Sequence, residues 1–573
     1  MSDEHGLRRG LTNYGDQDFA VYLRRSFARS MGLSRDMLEK PIIGIAMTPS
    51  DFNNCHRTMP ELVEAVSRGV LASGALPRAF PTISTGEVFL NPTSMVYRNL
   101  MAMDTEEMVR AQPMDAVVMI GGCDKTVPAQ LMGAASADVP AIQLVTGPMS
   151  TGHYKGERLG ACTDCRRFWG RFRAGEIERD EIDVVEGRLA ATAGTCAVMG
   201  TASTMAIIAE VLGMSLPGTA AIPAVAAERL VAAEETGKAA VRLLTHPRKP
   251  SEIITKNAVE NAMRVLMAVS GSTNAVVHLA AIAGRRGITI SSERMNEISD
   301  ETPVLVDLKP VGAGYLEDFH HAGGVGALLR ELKPLLHLDT VDVMGQTLGD
   351  RLEEPLDWVN RDVIRASDNA VSPVGGLISL GGNLAPQGAI FKRAAATESL
   401  FEHEGRAVVF DSLEHMASSI DDPDLDIEAD DIMVLKNAGP VAAGMPEAGY
   451  LPIPKKLARQ GVKDIVRISD ARMSGTAFGT IVLHIAPETA RGGPLAAVRT
   501  GDRIRLSVEN KTIDLLVDAA EIAKRLEDHV PPELPVRGYR GLYARTVTQA
   551  PEGVDFNFLQ HESTARFGRE DET

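Results

Sequence analysis

Ala116-Val117-Val118-Met119-Ile120-Gly121-Gly122-Cys123-Asp124-Lys125-Thr126 is the stretch on which the fold of this chain turns. Its first five residues are an unbroken apolar run of strand length, the pattern of a strand covered on both faces. Two glycines follow, which let the backbone turn tightly and come close to a bound group. Beyond them Cys123 opens a predicted helix. Pro41-Ile42-Ile43-Gly44-Ile45-Ala46 and Pro140-Ala141-Ile142-Gln143-Leu144-Val145 read as similar buried strands, and residues 60–72 carry helical periodicity. Such alternation predicts an α/β domain around a mostly parallel sheet. In these sheets ligands bind at the carboxyl ends of the strands, which is where Cys123 stands.

Two further cysteines lie in comparable turns, Cys55 in Asn53-Asn54-Cys55-His56 and Cys196 in Gly194-Thr195-Cys196. The spacing is too wide for a zinc finger or a ferredoxin run, whose ligands lie a few residues apart. Three thiolates gathered by a fold could hold an iron–sulfur cluster and leave one iron without a protein ligand. That iron would be a Lewis acid. Buried free cysteines are the plainer alternative. At Cys123-Asp124 a soft thiolate adjoins a hard carboxylate, so one turn can serve two metal centres of different character.

The chain has 573 residues, enough for two or three domains. It is 44% hydrophobic and 24% charged, an ordinary globular composition. A net charge of −17 with no basic stripe argues against nucleic acid. Arg166-Arg167 with Arg171 and Arg173 reads as a solvated helix face or local ion-pair network. No apolar run reaches 18 residues, so no membrane span is expected. The first ten residues lack an apolar signal core, and five cysteines do not make a disulfide framework, so a reducing cytoplasm is expected.

Later segments read as more helical. Thr201-Ala202-Ser203-Thr204 opens an apolar helix through about Met214, with hydroxyls suited to capping, and Ser270-Gly271-Ser272-Thr273-Asn274 opens another. Exposed amides at such starts could hold an anion, with a simple cap as the alternative. From about residue 380 the texture becomes turn-rich with short strand-like runs at 407–410, 432–435, 465–468, 504–508 and 513–517. These predict a β-barrel-like or sandwich second domain. The expected domains are therefore 1–375 and 380–573. The polar tail after Pro551 is expected to lie loosely on the surface.

In its motifs the chain resembles the IlvD/Edd dehydratase family, which includes dihydroxy-acid, phosphogluconate and sugar-acid dehydratases. The resemblance is carried by Gly-Gly-Cys-Asp-Lys-Thr at 121–126 and by Gly194-Thr195-Cys196 running into Met199-Gly200-Thr201-Ala202-Ser203-Thr204-Met205. It continues through Gly271-Ser272-Thr273-Asn274-Ala275, Gly381-Gly382-Asn383-Leu384-Ala385-Pro386 and Ser469-Asp470-Ala471-Arg472-Met473-Ser474-Gly475-Thr476. These motifs stand in the family's order from about residue 40 to 500.

The resemblance implies that Cys55, Cys123 and Cys196 hold a [2Fe-2S] cluster, with [4Fe-4S] known in other members. It implies Mg²⁺ held by Glu87, Asp124 and Glu447, the last from the C-terminal domain. Lys125 matches a lysine that is carbamylated in the [2Fe-2S] members and so becomes a further oxygen ligand. Unmodified, Lys125 could pair with Asp124 or meet the substrate carboxylate. Ser474 matches the catalytic base, and Ser474, Gly475 and Thr476 match the substrate-binding turn. The implied reaction is dehydration of a hydroxy acid to a 2-keto-3-deoxy acid, with the cluster as Lewis acid. A homodimer or homotetramer is implied as well.

Glu87, Pro92-Thr93, Tyr97-Arg98-Asn99-Leu100 and Gly147-Pro148-Met149 resemble the sugar-acid branch, making an aldonate the expected substrate. The dihydroxy-acid dehydratase of branched-chain synthesis is the alternative within the family. A non-catalytic iron–sulfur redox or sensor protein is the alternative outside it. Cys162-Thr163-Asp164-Cys165 departs from the common family pattern. Its spacing fits a redox pair or half a zinc site, but without a second such motif it is read as a structural pair near the site. His56 is read as a packing residue or a support to the cluster.

Overall fold

The computed structural model describes residues 5–11 and 14–560. Part of the stretch read for a signal core, residues 1–4, lies outside the described residues, as does the tail from 561 onward. The chain forms two compact units. The first runs to Ser272 and takes in Ile298–Gly376 and Gly475–Ala477; the second holds Thr273–Glu297, Leu377–Ser474 and the described chain from Phe478 on.

The first unit contains a parallel four-stranded sheet in the order β2-β1-β3-β4, formed by β1 (Ile42–Met47), β2 (Leu76–Pro81), β3 (Ala116–Gly121) and β4 (Ala141–Val145). Every residue of β3 and β4 is buried, which accounts for their unbroken apolar runs. The helices Met59–Ala72, Ser94–Ala111 and Cys123–Ala137 alternate with these strands. A small hairpin, β5 (Gly152–Tyr154) with β6 (Glu157–Leu159), precedes the helix Thr163–Ala174.

The second unit is built on an eight-stranded sheet of β7 (Ile378–Leu380), β8 (Gly388–Phe391), β9 (Glu402–Phe410), β10 (Ile432–Leu435), β11 (Val466–Ser469), β12 (Ile481–Ala486), β13 (Arg503–Ser507) and β14 (Thr512–Leu515). Their order is β14-β13-β9-β10-β11-β12-β8-β7. A bridge from Gly381, just past β7, to Thr512 on β14 joins the two edges and nearly closes a barrel. Four central strands, β9 to β12, are parallel. Along β10 the alternation is direct: Ile432 and Val434 enter one apolar core, Met433 and Leu435 another. Both faces are covered, so this strand too is a continuous apolar run.

The structure corrects the reading of the tail. Val554, Asp555 and Phe556 are buried, and Asp555 accepts from Arg285 Nε at 2.5 Å and Nη2 at 3.0 Å. Arg285 and Asp555 are both buried. Asp555→Ala takes two charge-assisted hydrogen bonds from the buried guanidinium, so it should destabilise the fold by about 3–5 kcal/mol. A lowered urea midpoint would show it, and an unchanged midpoint would mean the pair adds nothing net. Capping at Thr201–Val211 also differs from expectation. Gly200 is the N-cap and offers no side chain, and Thr204 Oγ1 instead donates to Gly200 O at 2.7 Å. Among the described residues no helix is long and apolar enough to cross a membrane.

Candidate active site

Cys123 is the first residue of the helix Cys123–Ala137, at the carboxyl end of β3. Its φ is +66°, an uncommon left-handed conformation for a side chain other than glycine. The residue before it must be glycine for a different reason. A Cβ on Gly122 would lie 1.9 Å from Thr146 Oγ1. The turn thus holds the thiol where the strand ends and the helix begins.

Cys55 stands in the short helical turn Asn54–His56, its N–H donating to Asn53 Oδ1 at 3.2 Å. His56 links this turn to the Cys123 turn. Its buried Nε2 accepts from Gly122 N–H at 3.0 Å, and Nδ1 lies 2.7 Å from Thr48 O as donor. Burial lowers its pKa, which favours the neutral ring this pairing needs. His56 therefore supports the geometry of two cysteine loops, a role that its sequence position alone leaves open.

Cys196 follows Gly194, whose φ is +123° and where a Cβ would lie 2.6 Å from Met149 N, so that both backbone and space demand glycine. Thr195 N donates to Gly147 O at 3.0 Å and Met149 N to Thr195 O at 2.8 Å, anchoring the loop to the segment after β4. Gly194 N also reaches Asn54 O at 3.5 Å. Three loops distant in sequence are thereby tied together.

The sulfurs respond to this crowding. A hydrogen bond with Cys123, burial, and negative charge at Cys123 and Asp124 push the Cys55 thiol well up. A hydrogen bond with Cys162, burial, and charge at Cys162, Asp124 and Cys55 do the same to Cys196. The Cys162 and Cys196 sulfurs are 3.4 Å apart. Thiols that oppose one another's ionisation are what a cluster of prospective metal ligands presents before a cation stabilises the thiolates. The donor set therefore fits an iron–sulfur group.

Beside the thiols stands an oxygen-rich group. Lys125, fully buried, places Nζ 2.6 Å from Glu87 Oε2 and 3.8 Å from Asp124 Oδ2. Ser94 Oγ also donates to Glu87. In this arrangement the ammonium supplies the positive charge between two carboxylates. Conversion of Lys125 to a carbamate would leave anionic oxygens only, a set suited to Mg²⁺. The chemistry of the donors thus fits a hard divalent cation.

Gly475 and Thr476 pack within the first unit. Thr163 Oγ1 donates to Thr476 O at 3.0 Å, and Arg166 Nη1 to Thr476 Oγ1 at 2.7 Å. Arg166 thereby departs from the expected solvated face. Arg167 fits the other alternative, a local ion-pair network, pairing with Glu157 and Asp164. Cys162 and Cys165 stand at the start of the same helix, all five cysteines being free.

In the second unit, Ser474 lies buried in the loop after β11, and Glu447 begins the turn Glu447–Tyr450. Arg472 joins these two loops. Its Nε donates to Met445 O at 2.8 Å, its Nη1 to Glu447 Oε1 at 2.7 Å, and its carbonyl accepts from Gly449 N at 2.9 Å. Asp470 holds the same loop by accepting from Ala438 N and Thr489 N. Arg472 lies inside a motif read for Ser474, but only its burial reveals the bridging role.

Residues 40–351 match the dihydroxy-acid/6-phosphogluconate dehydratase N-terminal domain, and 362–554 match the corresponding C-terminal domain. The chain is 46% identical to L-arabonate dehydratase of Azospirillum brasilense, covering 95% of this chain and 96% of that protein. It is 43% identical to 6-deoxy-6-sulfo-D-gluconate dehydratase of Pseudomonas putida, over 98% of each. Identity is 38% to a dihydroxy-acid dehydratase of Caldanaerobacter subterraneus subsp. tengcongensis, over 93% of this chain and 96% of that protein. With both domains matched and similarity running nearly end to end, the chain belongs to the dihydroxy-acid/6-phosphogluconate dehydratase family.

Proposed function

We propose that this hydro-lyase dehydrates an aldonate to a 2-keto-3-deoxy acid. The observation that carries the reading is the gathering of cysteine loops beside the Glu87–Lys125–Asp124 group in the first unit. Its near full-length likeness to dehydratases named for sugar acids supports that substrate class over a branched dihydroxy acid.

Cys55, Cys123 and Cys196 would hold a [2Fe-2S] cluster, while Glu87, Asp124, carbamylated Lys125 and Glu447 would hold Mg²⁺. When bound, these groups supply Lewis acidity toward the leaving C3 hydroxyl and the C2 hydroxyl with its carboxylate. The Gly475 and Thr476 amides orient the substrate carboxylate, and Ser474 Oγ, ionised as an alkoxide, accepts the C2 proton. The C3 hydroxyl departs as water, taking that proton back from Ser474 and restoring the alkoxide, and the resulting enol tautomerises to the keto acid. Arg472 would keep the Ser474 and Glu447 loops in register, and Arg166 would hold the Thr476 hydroxyl. The enzyme would work in the cytoplasm as a homodimer or homotetramer, the assembly being readable by light scattering.

A hydrogen bond to a charged group contributes about 1.5–3 kcal/mol, so Arg166→Ala should lower kcat/KM by roughly 10- to 100-fold. The loss should fall mainly on KM with cluster absorbance unchanged; a wild-type KM would remove Arg166 from substrate positioning. The substrate assignment is tested by 2-keto acid formation from C5 and C6 aldonates and 2,3-dihydroxyisovalerate, with anaerobic, Mg²⁺-loaded protein. Preference for an aldonate supports the proposal. Preference for dihydroxyisovalerate transfers the enzyme to the other branch, and an intact cluster without turnover on any of them favours a redox or sensor role.

A further inference from the structure

The Cys162-x-x-Cys165 pair has no part in the dehydration as derived, yet its first sulfur lies 3.4 Å from that of Cys196. A disulfide bond is about 2.05 Å long, so closure requires an approach of about 1.4 Å. Cys162, Cys165 and Cys196 are all partly accessible. On its other side Cys162 meets the third cysteine: Cys165 Sγ lies 2.6 Å from Cys162 O. The three cysteines therefore form a chain with Cys162 in the middle.

The segment bearing Cys162 is firmly held. Buried Asp164 accepts from Gly160 N at 2.8 Å, from Lys309 Nζ at 3.1 Å and from Tyr315 OH at 3.1 Å. Arg167 Nε also donates to it at 3.0 Å. Cys162 and Cys196 both pack against a small core of Met149, Ala161, Ala197, Val198 and Tyr315. The sulfur contact thus belongs to packed structure on both sides.

We propose that Cys162, Cys165 and Cys196 form a thiol–disulfide relay that protects Cys196 when the cluster is absent. A peroxide first oxidises one thiol of the Cys162–Cys196 pair to a sulfenic acid, its O–O bond breaking with release of one water. The second thiol displaces a further water and forms the disulfide, so two thiols lose two electrons and two protons to the peroxide. The Cys165 thiol then gives its proton to solvent and its sulfur attacks Cys162 Sγ. The Cys162–Cys196 bond breaks, its electron pair leaves on Cys196, and the oxidation passes to the Cys162–Cys165 pair without net redox change. An external dithiol reduces that pair. The consequence for cluster loading rests on the proposed role of Cys196 as a ligand.

The test uses full-length protein freed of its cluster by chelation, treated with stoichiometric hydrogen peroxide, alkylated and mapped by peptide mass spectrometry. Cys165→Ser should accumulate a Cys162–Cys196 linked peptide. Its visible absorbance on reloading with iron and sulfide should be lost until dithiothreitol is added. Wild type should accumulate the Cys162–Cys165 peptide and reload without reductant. Given a second equivalent of peroxide, Cys162→Ser should carry Cys196 onward to the sulfinic acid, which dithiothreitol does not reverse. Absence of any Cys196-linked peptide from Cys165→Ser overturns the relay. A linked peptide with undiminished reloading instead overturns Cys196 as a cluster ligand, which separates the two failures.

Discussion

Ser474→Ala is expected to lower kcat by about 10²- to 10⁴-fold, the usual contribution of a positioned acid–base group. Metal content and cluster absorbance should stay at wild-type levels. Ser474 is buried in a loop that Asp470 and Arg472 anchor through their own hydrogen bonds, so those anchors should keep the loop in place when one oxygen is removed. KM should change little because the proposed carboxylate contacts come from the Gly475 and Thr476 backbone. Steady-state kinetics with iron, sulfide and magnesium analysis would check this. A near-normal kcat would remove Ser474 as the base.

Cys123→Ser is expected to abolish the visible cluster absorbance, and turnover should fall below detection. The substitution nearly preserves volume but replaces a soft sulfur donor with a hard hydroxyl, which suits iron–sulfur ligation poorly. The turn itself should survive, because Gly122 and the pairing of its N–H with His56 are untouched. Absorbance and circular dichroism of the same sample would separate cluster loss from misfolding. A folded variant with an intact cluster would sink the three-thiolate assignment.

Local sequence exposes Cys123, whereas Ser474 is picked out only by the resemblance of its motif to the family. Cys123 follows an apolar strand and two glycines, and the structure places it where that strand gives way to a helix. The C-terminal strand at 432–435 is legible because burial on both faces leaves a continuous apolar run, and the one at 466–469 because the β-branched Val466 and Ile468 flank Arg467. Their parallel pairing is not, since short strands between turns suit several topologies. The polar composition of the tail misleads for a related reason. Its Asp555 is matched by Arg285, 270 residues earlier.

Local sequence suffices for the α/β and barrel-like character of the chain, for the family and for the identities of the candidate donors. Those properties reside in short motifs and in the periodicity of burial, which neighbouring residues express together. Packing in three dimensions is what brings Cys162 against Cys196, ties the Ser474 loop to the Glu447 turn through Arg472, and carries Arg166 to Thr476. It also assigns Thr273–Glu297 to the second unit and Gly475–Ala477 to the first. These contacts join residues from 25 to 310 positions apart. No local pattern encodes them, because they arise from how whole elements pack and from the demand that buried charges and polar groups find partners.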